Sequence, residues 1–261
     1  MAGHADDSLH PLEAAQRLRA RWLAGESTFG GWIYLRDPVV VELVARSGVD
    51  WVCVDTHHGM ARGVDVAQLM QAVALGGSPG LVRVPWNEPG VIMNALDAGA
   101  TGVIVPMVGN ADEAEGAVAA CRYPPHGMRS WGPTRAALGA SAYSAAWANE
   151  RVLCIVMIET EEGLDNAEAI LAVDGVDAVF IGPTDLSLSF GVARDDPAND
   201  ERVMALKGAC DRAGKPAGVA ATSVDEGRRR AASGFAFIAV PSDAVLLRQA
   251  YGAFLESVRS M

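Results

Sequence analysis

Two adjacent histidines follow a short apolar segment in the sequence WVCVDTHHGM, residues 51–60. Asp55 ends the apolar run, and His57 and His58 come directly after Thr56. Histidine transfers protons near neutral pH because its unperturbed pKa is about 6.5, and a neighbouring carboxylate can raise that pKa. The segment therefore predicts a general base, and both histidines are candidates for it.

Two carboxylates end later apolar segments, Glu159 in MIET and Asp185 in FIGPTD. On adjacent parallel strands they would lie close enough to share a hard divalent cation such as Mg²⁺ or Mn²⁺. Two unpaired carboxylates at close range would repel each other, which favours a metal site. The alternative is that each carboxylate only caps the helix that follows it.

Arg83 lies within the apolar segment GLVRV and requires an anion, because an unpaired guanidinium is costly to bury. The anion is either a carboxylate in a structural ion pair, from Asp55 or Glu159, or an oxyanion of a substrate. The segment GPTDLS, residues 182–187, turns from strand to helix, and its backbone amides can bind a carboxylate. Helix starts of this form are also common without any ligand.

Eight short apolar segments alternate with segments of helical spacing and must position these side chains. The apolar segments are TFGGWIYL, WVCVD, GLVRV, GVIVPM, LCIVMIE, AVFIGP, PAGVAA and FAFIAV. Strands that are apolar on both faces and alternate with helices indicate a parallel sheet with right-handed crossovers. Eight units, with no glycine-rich phosphate loop after the first, predict a (β/α)₈ barrel rather than an open sheet. The active site of such a barrel lies at the C-terminal ends of its strands.

We expect a single domain over residues 1–261, with four segments outside the regular repeat. Residues 1–10 form a polar tail, and residues 12–25 form an extra helix that covers the N-terminal end of the barrel. Residues 123–151 form a long connector rich in Pro, Gly and aromatic residues, which is typical of a lid or a subunit contact. The final helix, from residue 243 to about residue 260, closes the repeat or packs on a neighbouring subunit.

The composition excludes several classes of partner. The formal net charge of −11 opposes binding to nucleic acid or to an anionic membrane. No apolar run reaches the roughly 18 residues of a membrane span, and the first ten residues lack a signal sequence, so we expect a cytoplasmic protein. The four cysteines form no CxxC pair and are expected to be reduced thiols.

Six motifs, in this order and spacing, resemble the metal-dependent class II pyruvate aldolases of the HpcH/HpaI family, which include 4-hydroxy-2-oxoheptanedioate aldolase. The motifs are VDTHHG, LVRVPWNEP, GVIVPMVGNADEA, RYPPHGMRS, MIET and FIGPTDLS. The resemblance extends from about Phe29 to the final helix. It implies a (β/α)₈ barrel, a divalent metal ion (Mg²⁺, Mn²⁺, Co²⁺ or Ni²⁺), no organic cofactor, and a homohexamer built as a trimer of dimers.

The resemblance also implies which residues hold the metal ion and the substrate. Glu159 and Asp185 fall on the metal ligands, and Arg83 falls on an arginine that stabilises an enolate. The substrate carboxylate would bind at the helix start formed by Gly182, Pro183, Thr184 and Asp185. Where many relatives have glutamine two positions before the metal glutamate, this chain has Met157, which cannot donate that hydrogen bond to a substrate.

The resemblance distinguishes the two histidines. His58 falls on the catalytic base, Asp55 on an aspartate that partners it, and Asp97, in NALDAG, on a carboxylate that raises its proton affinity. His57 replaces an acidic residue that many relatives have before this base. It is either a solvated loop residue or a contact to the aldehyde or to a partner subunit.

The implied reaction is the reversible cleavage of 4-hydroxy-2-oxo acids to pyruvate or hydroxypyruvate and an aldehyde, through an enolate. A Schiff-base mechanism is disfavoured because Lys207 and Lys215 do not end a strand. Three alternatives remain: a decarboxylase or other metal-enolate lyase, a lyase acting on a CoA thioester, and a barrel that binds a 2-oxo acid without turnover. The last would predict loss of the base or of a metal ligand.

Overall fold

The computed structural model describes residues 10–260, in which eight parallel strands form a closed barrel. Each strand pairs with its neighbours in chain order, and β8 returns to β1. The strands are β1 (Thr28–Ile33), β2 (Trp51–Asp55), β3 (Gly80–Arg83), β4 (Gly102–Val105), β5 (Leu153–Ile158), β6 (Ala178–Ile181), β7 (Ala217–Ala220) and β8 (Phe237–Ala239). The eight expected strands and the (β/α)₈ barrel are therefore confirmed.

Helices connect the strands on the outside of the barrel. They are α1 (Pro11–Leu23), α2 (Pro38–Ala45), α3 (Gly63–Gly76), α4 (Pro89–Asp97), α5 (Ala111–Cys121), α6 (Ala145–Arg151), α7 (Glu161–Asp165), α8 (Ala167–Leu171), α9 (Pro183–Ser189), α10 (Pro197–Arg212), α11 (Val224–Ala232) and α12 (Asp243–Arg259). Within residues 10–260, none of them is long and apolar enough to cross a membrane.

The segment GLDNAEAILAV, residues 163–173, has the apolar spacing of a single helix but is divided into α7 and α8. The division falls at Asn166, whose backbone leaves the helical conformation and whose side chain donates a 2.8 Å hydrogen bond to the Gly109 carbonyl. Asparagine has low helix propensity because its side chain competes for backbone hydrogen bonds. The long-range bond to Gly109 stabilises the break.

Alternate side chains of each strand lie in two different cores. In β2, Val52 and Val54 pack outward against the helices, while Trp51 and Cys53 lie in the barrel interior. This follows from the two-residue period of a strand, in which successive side chains point to opposite faces. The interior core fills the N-terminal part of the barrel, and the same alternation determines which residues face the opening at the other end.

Helix α1 closes the N-terminal end of the barrel, as expected. Trp22 stacks on Phe237 with ring centroids 4.4 Å apart, and its indole N–H donates a 2.8 Å hydrogen bond to the Thr28 hydroxyl. Residues 1–9 of the expected polar tail lie outside the described residues. His10, the last residue of that tail, is buried, and its Nδ1 accepts a hydrogen bond from the Leu12 amide at the start of α1.

The connector of residues 123–151 lies at this same N-terminal end. It begins where α5 ends and finishes at the start of β5, and its helix α6 packs against α1. Aromatic side chains of the connector, Tyr123, Trp131, Tyr143 and Trp147, form a chain of ring contacts. A lid over the C-terminal ends of the strands is therefore the wrong interpretation of this segment, because both of its ends are fixed at the other side of the barrel.

Helix α12 does not close the repeat against the barrel. Of its residues only Asp243, at its start, is buried. Apolar side chains are exposed along the rest of the helix: Leu246, Leu247, Tyr251, Phe254, Leu255 and Val258. Only the start of α12 contacts its own barrel, and the exposed apolar side chains beyond it favour the second of the two expected roles, contact with a neighbouring subunit.

Candidate active site

A cavity of about 420 Å³ opens at the C-terminal ends of the strands. This volume lies within the roughly 300–1,000 Å³ of small-molecule sites. Most of the site residues expected from the sequence line it: His58, Arg83, Met157, Glu159, Gly182, Pro183, Thr184 and Asp185. The location is the one that a parallel barrel uses for its active site.

The alternation of the strands explains why these side chains converge. Asp55, Arg83 and Glu159 each lie two residues after a side chain in the barrel interior, so they face the same way. The earlier residues are Cys53, Leu81 and Met157. Asp55 and Arg83 are also register partners on β2 and β3. Three polar groups are thereby placed directly above an apolar core.

The buried carboxylate of Asp55 accepts hydrogen bonds from four donors. Its Oδ2 accepts a 2.8 Å hydrogen bond from the indole of Trp32 and forms an ion pair with Nη2 of Arg83. Its Oδ1 accepts from the backbone amides of His57 at 2.9 Å and His58 at 3.0 Å. Burial disfavours the ionised carboxylate, but the Arg83 charge and these hydrogen bonds outweigh burial and hold the pKa of Asp55 below its ordinary value.

Arg83 therefore has the structural ion pair that was one of its two expected roles. Its side chain is buried and lines the cavity, and its Nε has no hydrogen-bond partner in the structure. Buried guanidinium N–H groups are costly to leave unpaired. The ion pair with Asp55 thus leaves one donor of Arg83 unused beside the cavity.

His58 is exposed at the edge of the cavity, and Asp55 bonds its backbone amide rather than its ring. Burial of part of the ring, together with the charges of Arg83 and His57, lowers the pKa of His58 against the opposing effect of Asp55. Asp55 does raise the pKa of His58, as expected for a neighbouring carboxylate, but burial and the two positive neighbours outweigh its effect. A lowered pKa keeps the imidazole neutral, and hence able to accept a proton, at neutral pH.

His57 is half-buried and packs beside His58, with ring centroids 4.1 Å apart. Its Nδ1 lies 2.6 Å from the Pro85 carbonyl oxygen, a contact in which the ring nitrogen donates. The ring is thus held between the β3 end and His58, which does not match a freely solvated loop residue.

Asp97 is not brought to the cavity of its own chain. It is the last residue of α4, five residues before β4 begins, and therefore lies at the N-terminal end of the barrel. Its Oδ1 accepts a 2.7 Å charge-assisted bond from Arg129, a side chain that is 2% exposed. Helix α4 runs antiparallel to the strands, so its end and the C-terminal ends of the strands are at opposite sides of the barrel. Within one chain, Asp97 cannot set the proton affinity of His58.

Glu159 is 1% exposed and only half satisfied. Its Oε1 accepts a 2.9 Å hydrogen bond from the Met107 amide, and its buried Oε2 has no donor in the structure. The neighbouring carboxylate of Asp185 is within hydrogen-bonding range. Burial, opposed by the Met107 bond and aided by the Asp185 charge, raises the pKa of Glu159 to about 7. Ionised carboxylate oxygens of Glu159 and Asp185 can only accept hydrogen bonds. A proton or a cation is therefore required between them.

These features fit a divalent cation held by Glu159 and Asp185. Hard cations prefer carboxylate oxygens, and water or substrate oxygens complete the coordination. Among residues 10–260, no group of three or more His, Cys, Asp or Glu side chains is arranged to hold a metal ion. A site with two protein carboxylates leaves most positions for water and a chelating substrate. A Cβ at Gly182 would lie 2.4 Å from Oε2 of Glu159, so glycine is required there to admit the carboxylate.

Several residues of the cavity were missed by the sequence reasoning. The backbone of Met107 adopts a left-handed conformation, φ 57°, that directs its amide to Glu159, and no sequence signal marks it. Trp32, Tyr34, Thr222 and Ser242 also line the cavity. Following the strand alternation through β1 and β7 would have found Trp32, Tyr34 and Thr222, whereas Ser242, three residues after β8, is out of phase with that alternation.

A protein-family model for "HpcH/HpaI aldolase/citrate lyase" matches residues 28–250. The chain belongs to this family. It is 38% identical to a hydroxypyruvate/pyruvate aldolase of Rhizorhabdus wittichii over 94% of this chain and 99% of that protein. It is also 38% identical to a 4-hydroxy-2-oxo-heptane-1,7-dioate aldolase of Salmonella dublin, over 86% of this chain and 87% of that one.

Solved structures of the HpcH/HpaI family have the same fold. A family member from Burkholderia cenocepacia superposes with a TM-score of 0.88 at 32% identity, covering 95% of this chain and 99% of that one. The resemblance inferred from the six motifs is therefore confirmed, as is the expectation of a carbon–carbon lyase of the aldolase type.

Proposed function

We propose that this HpcH/HpaI protein reversibly cleaves 4-hydroxy-2-oxo acids to pyruvate or hydroxypyruvate and an aldehyde, with a divalent metal ion as cofactor. The observation that carries the proposal is the unsatisfied Oε2 of Glu159, buried beside the carboxylate of Asp185 and facing the same cavity as His58 and Arg83. Relatives named as hydroxypyruvate/pyruvate aldolases support the donor substrates.

Glu159 and Asp185 would hold the metal ion, which when bound supplies Lewis acidity to the oxygens of the 2-oxo acid. Arg83 adds a fixed positive charge beside the position where the enolate oxygen develops. Removing one preorganised donor of this type typically lowers the rate by about 10²- to 10³-fold. The paired carboxylate of Asp55 and the stacked indole of Trp32 fix the guanidinium in that place.

His58 would transfer the proton. In the cleavage direction the base removes the C4 hydroxyl proton, the C3–C4 bond breaks to release the aldehyde, and the electron pair of that bond passes to the enolate of pyruvate. The proton held by the base is then delivered to C3 of the enolate, which gives pyruvate. The reverse direction begins with removal of a C3 proton from pyruvate and ends with protonation of the new C4 hydroxyl group. The neutral form required for this step is favoured by the lowered pKa of His58. Asp55 positions the loop that carries the ring through the backbone amides of His57 and His58.

The helix start of α9 would bind the substrate carboxylate. Gly182, at the N-cap, has no side chain to occupy the amides of the first turn, and residues 182–185 line the cavity. Free amides at the start of a helix favour an anion. The substrate carboxylate would then lie next to Asp185, after β6, which is opposite β2 in the barrel order.

Pyruvate release tests the proposal directly. A panel of 4-hydroxy-2-oxo acids is incubated with protein stripped of metal and then supplied with Mg²⁺, Mn²⁺, Co²⁺ or Ni²⁺, and pyruvate is measured with lactate dehydrogenase. Release with metal, and none with excess chelator, is the expected result. Glu115→Gln, at an exposed position of α5, serves as a matched control for Glu159→Gln. No release from any acid of the panel with any of the four metals would refute the proposal.

We also propose that the protein is a homo-oligomer, and specifically the trimer of dimers expected from the resemblance. The support is the exposed apolar surface of α12, since long helices with a free apolar face mark contacts with other chains. Light scattering after size exclusion should give a hexamer, and Tyr251→Glu together with Phe254→Glu should give smaller species. A monomer of the unmodified chain at micromolar concentration would contradict this.

A further inference from the structure

The charged groups of the cavity occupy one part of its wall. His58 and Arg83 come from β2 and β3, and Glu159 and Asp185 follow β5 and β6. The remaining wall is formed by the ends of β7, β8 and β1 and by the start of α12, and these strands are neighbours in the barrel order. Among the described residues that line the cavity, Arg83 is the one Lys or Arg, and it belongs to the first wall, where it is paired with Asp55.

Ser242, on this second wall, is a buried hydroxyl without a partner. The residue is 8% exposed, it lines the cavity, and its Oγ makes no hydrogen bond in the structure. Ser242 stands at the N-cap of α12, where serine normally bonds an amide of the first turn, but its side chain makes no such bond. Leaving a buried hydroxyl unpaired is unfavourable, so a ligand is the expected partner.

At the start of α12 the carboxylate of Asp243, rather than the hydroxyl of Ser242, accepts hydrogen bonds from backbone amides. The carboxylate of Asp243 accepts hydrogen bonds from the amides of Tyr34, Leu35 and Ala244. This fixes the start of α12 against the end of β1 and leaves the Ser242 hydroxyl available. Ser242, Val245 and Gln249 are spaced at i, i+3 and i+7, on one face of α12, and all three line the cavity.

We infer that the wall formed by β7, β8 and the start of α12 is the subsite for the aldehyde, that it takes a neutral aldehyde carrying a hydroxyl group, and that Ser242 hydrogen-bonds that hydroxyl. The inference rests on the proposed function and specifies its second substrate. The metal ligands and the carboxylate site occupy the wall after β5 and β6, so the rest of the aldehyde extends toward the uncharged wall.

The same wall disfavours an aldehyde with a terminal carboxylate. The named relative from Salmonella dublin acts on a heptane-1,7-dioate, which has a carboxylate at each end. Here the first carboxylate has the start of α9, whereas the second would meet alanine, valine and uncharged polar side chains. An ionised group buried without a counter-charge is strongly disfavoured.

Two aldehyde pairs of similar size test the inference. Glycolaldehyde and propanal differ by a hydroxyl in place of a methyl group, and succinic semialdehyde and pentanal differ by a carboxylate. Each is added to pyruvate by the metal-loaded enzyme, and kcat/KM is determined for the free aldehyde. Exchange of the pyruvate C3 protons in D₂O, followed by NMR, reports enolate formation without any aldehyde.

The ratio of kcat/KM for two aldehydes is compared between each variant and the wild type, because the intrinsic reactivity of the aldehydes cancels in that comparison. Ser242→Ala should lower the ratio of kcat/KM for glycolaldehyde over propanal by about 2- to 10-fold, the effect of one uncharged hydrogen bond. Ser242→Thr, which keeps a hydroxyl, should retain the ratio. Gln249→Arg should raise the ratio for succinic semialdehyde over pentanal, and Gln249→Glu should lower it.

The outcomes separate this inference from the proposed function. An unchanged glycolaldehyde ratio in Ser242→Ala, with proton exchange and adduct formation intact, would overturn the role of Ser242. A wild-type preference for succinic semialdehyde over pentanal would overturn the neutral subsite. Absence of both proton exchange and adduct formation in the wild type would instead refute the proposed function, and this inference with it.

Discussion

Replacing Glu159 by glutamine should make the metal-free protein more stable, although it removes a metal ligand. The carboxylate is 1% exposed, and its pKa is raised from an ordinary 4.5 to about 7. A glutamine keeps the acceptor for the Met107 amide and supplies a donor toward Asp185, without a charge to bury. The metal site is thus expected to reduce stability when no cation is present.

The magnitude follows from the pKa. Each pKa unit is worth about 1.36 kcal/mol, so the rise from 4.5 to about 7 corresponds to about 3 kcal/mol. Because the folded-state pKa is raised, the folded protein keeps its proton longer than the unfolded chain does. The wild type therefore has no penalty below pH 4.5, loses stability as the pH rises to about 7, and carries the full penalty above that.

Urea unfolding in chelator, at fixed protein concentration and a series of pH values, measures the effect. The free energy of unfolding of Glu159→Gln minus that of the wild type should increase by about 3 kcal/mol between pH 5 and pH 8. Glu115→Gln, at an exposed position, should show no such pH dependence. Added metal should stabilise the wild type, by about 2.7 kcal/mol at 100 times its Kd, and should stabilise the glutamine variant much less.

A difference between variant and wild type that stays constant from pH 5 to pH 8 would refute the reasoning. It would mean that Glu159 has an ordinary pKa and that the pair with Asp185 is already satisfied in another way. The metal-binding role of Glu159 would then lose its physical basis.

Three further predictions concern other parts of the site. His58→Ala should slow pyruvate proton exchange by about 10²- to 10⁴-fold, and His57→Ala by less than about tenfold, with NMR as the readout. Gly182→Ala should weaken metal binding at least about tenfold in calorimetry, because the added Cβ would lie 2.4 Å from Oε2 of Glu159. Asp97→Ala should destabilise the fold by about 1–3 kcal/mol in urea, since it leaves the buried Arg129 without its carboxylate.

Most of the fold was predictable because its determinants are local. Most strand residues belong to apolar runs that are buried on both faces, and several helix starts carry a capping residue, such as Asp37 at α2 and Asn110 at α5. The break at Asn166 was not predictable, because a hydrogen bond to a distant carbonyl stabilises it. For α12 the sequence left two roles open, closing the repeat or packing on a neighbouring subunit. An apolar helix face does not reveal which surface covers it.

The site was predictable where a charged residue interrupts an apolar strand. Asp55, Arg83 and Glu159 stand out in this way, and the cavity contains or adjoins all three. Asp97 was placed by resemblance alone, and the antiparallel course of α4 carries it to the far side of the barrel. Ser242 was missed because a serine before a helix reads as a cap, and only the structure shows that its hydroxyl does not act as one.

The four donors that converge on Asp55 have a consequence for how this enzyme can diverge. Asp55 connects β1 through Trp32, β3 through Arg83, and the histidine loop through two amides. Changing Arg83 alone leaves a buried carboxylate without its counter-charge, and changing Asp55 alone leaves a buried guanidinium without its partner, so each single change is penalised by the charge that remains. The two positions are thus expected to be inherited as one unit, and new specificities should arise on the wall of β7, β8 and α12, where residues can change one at a time.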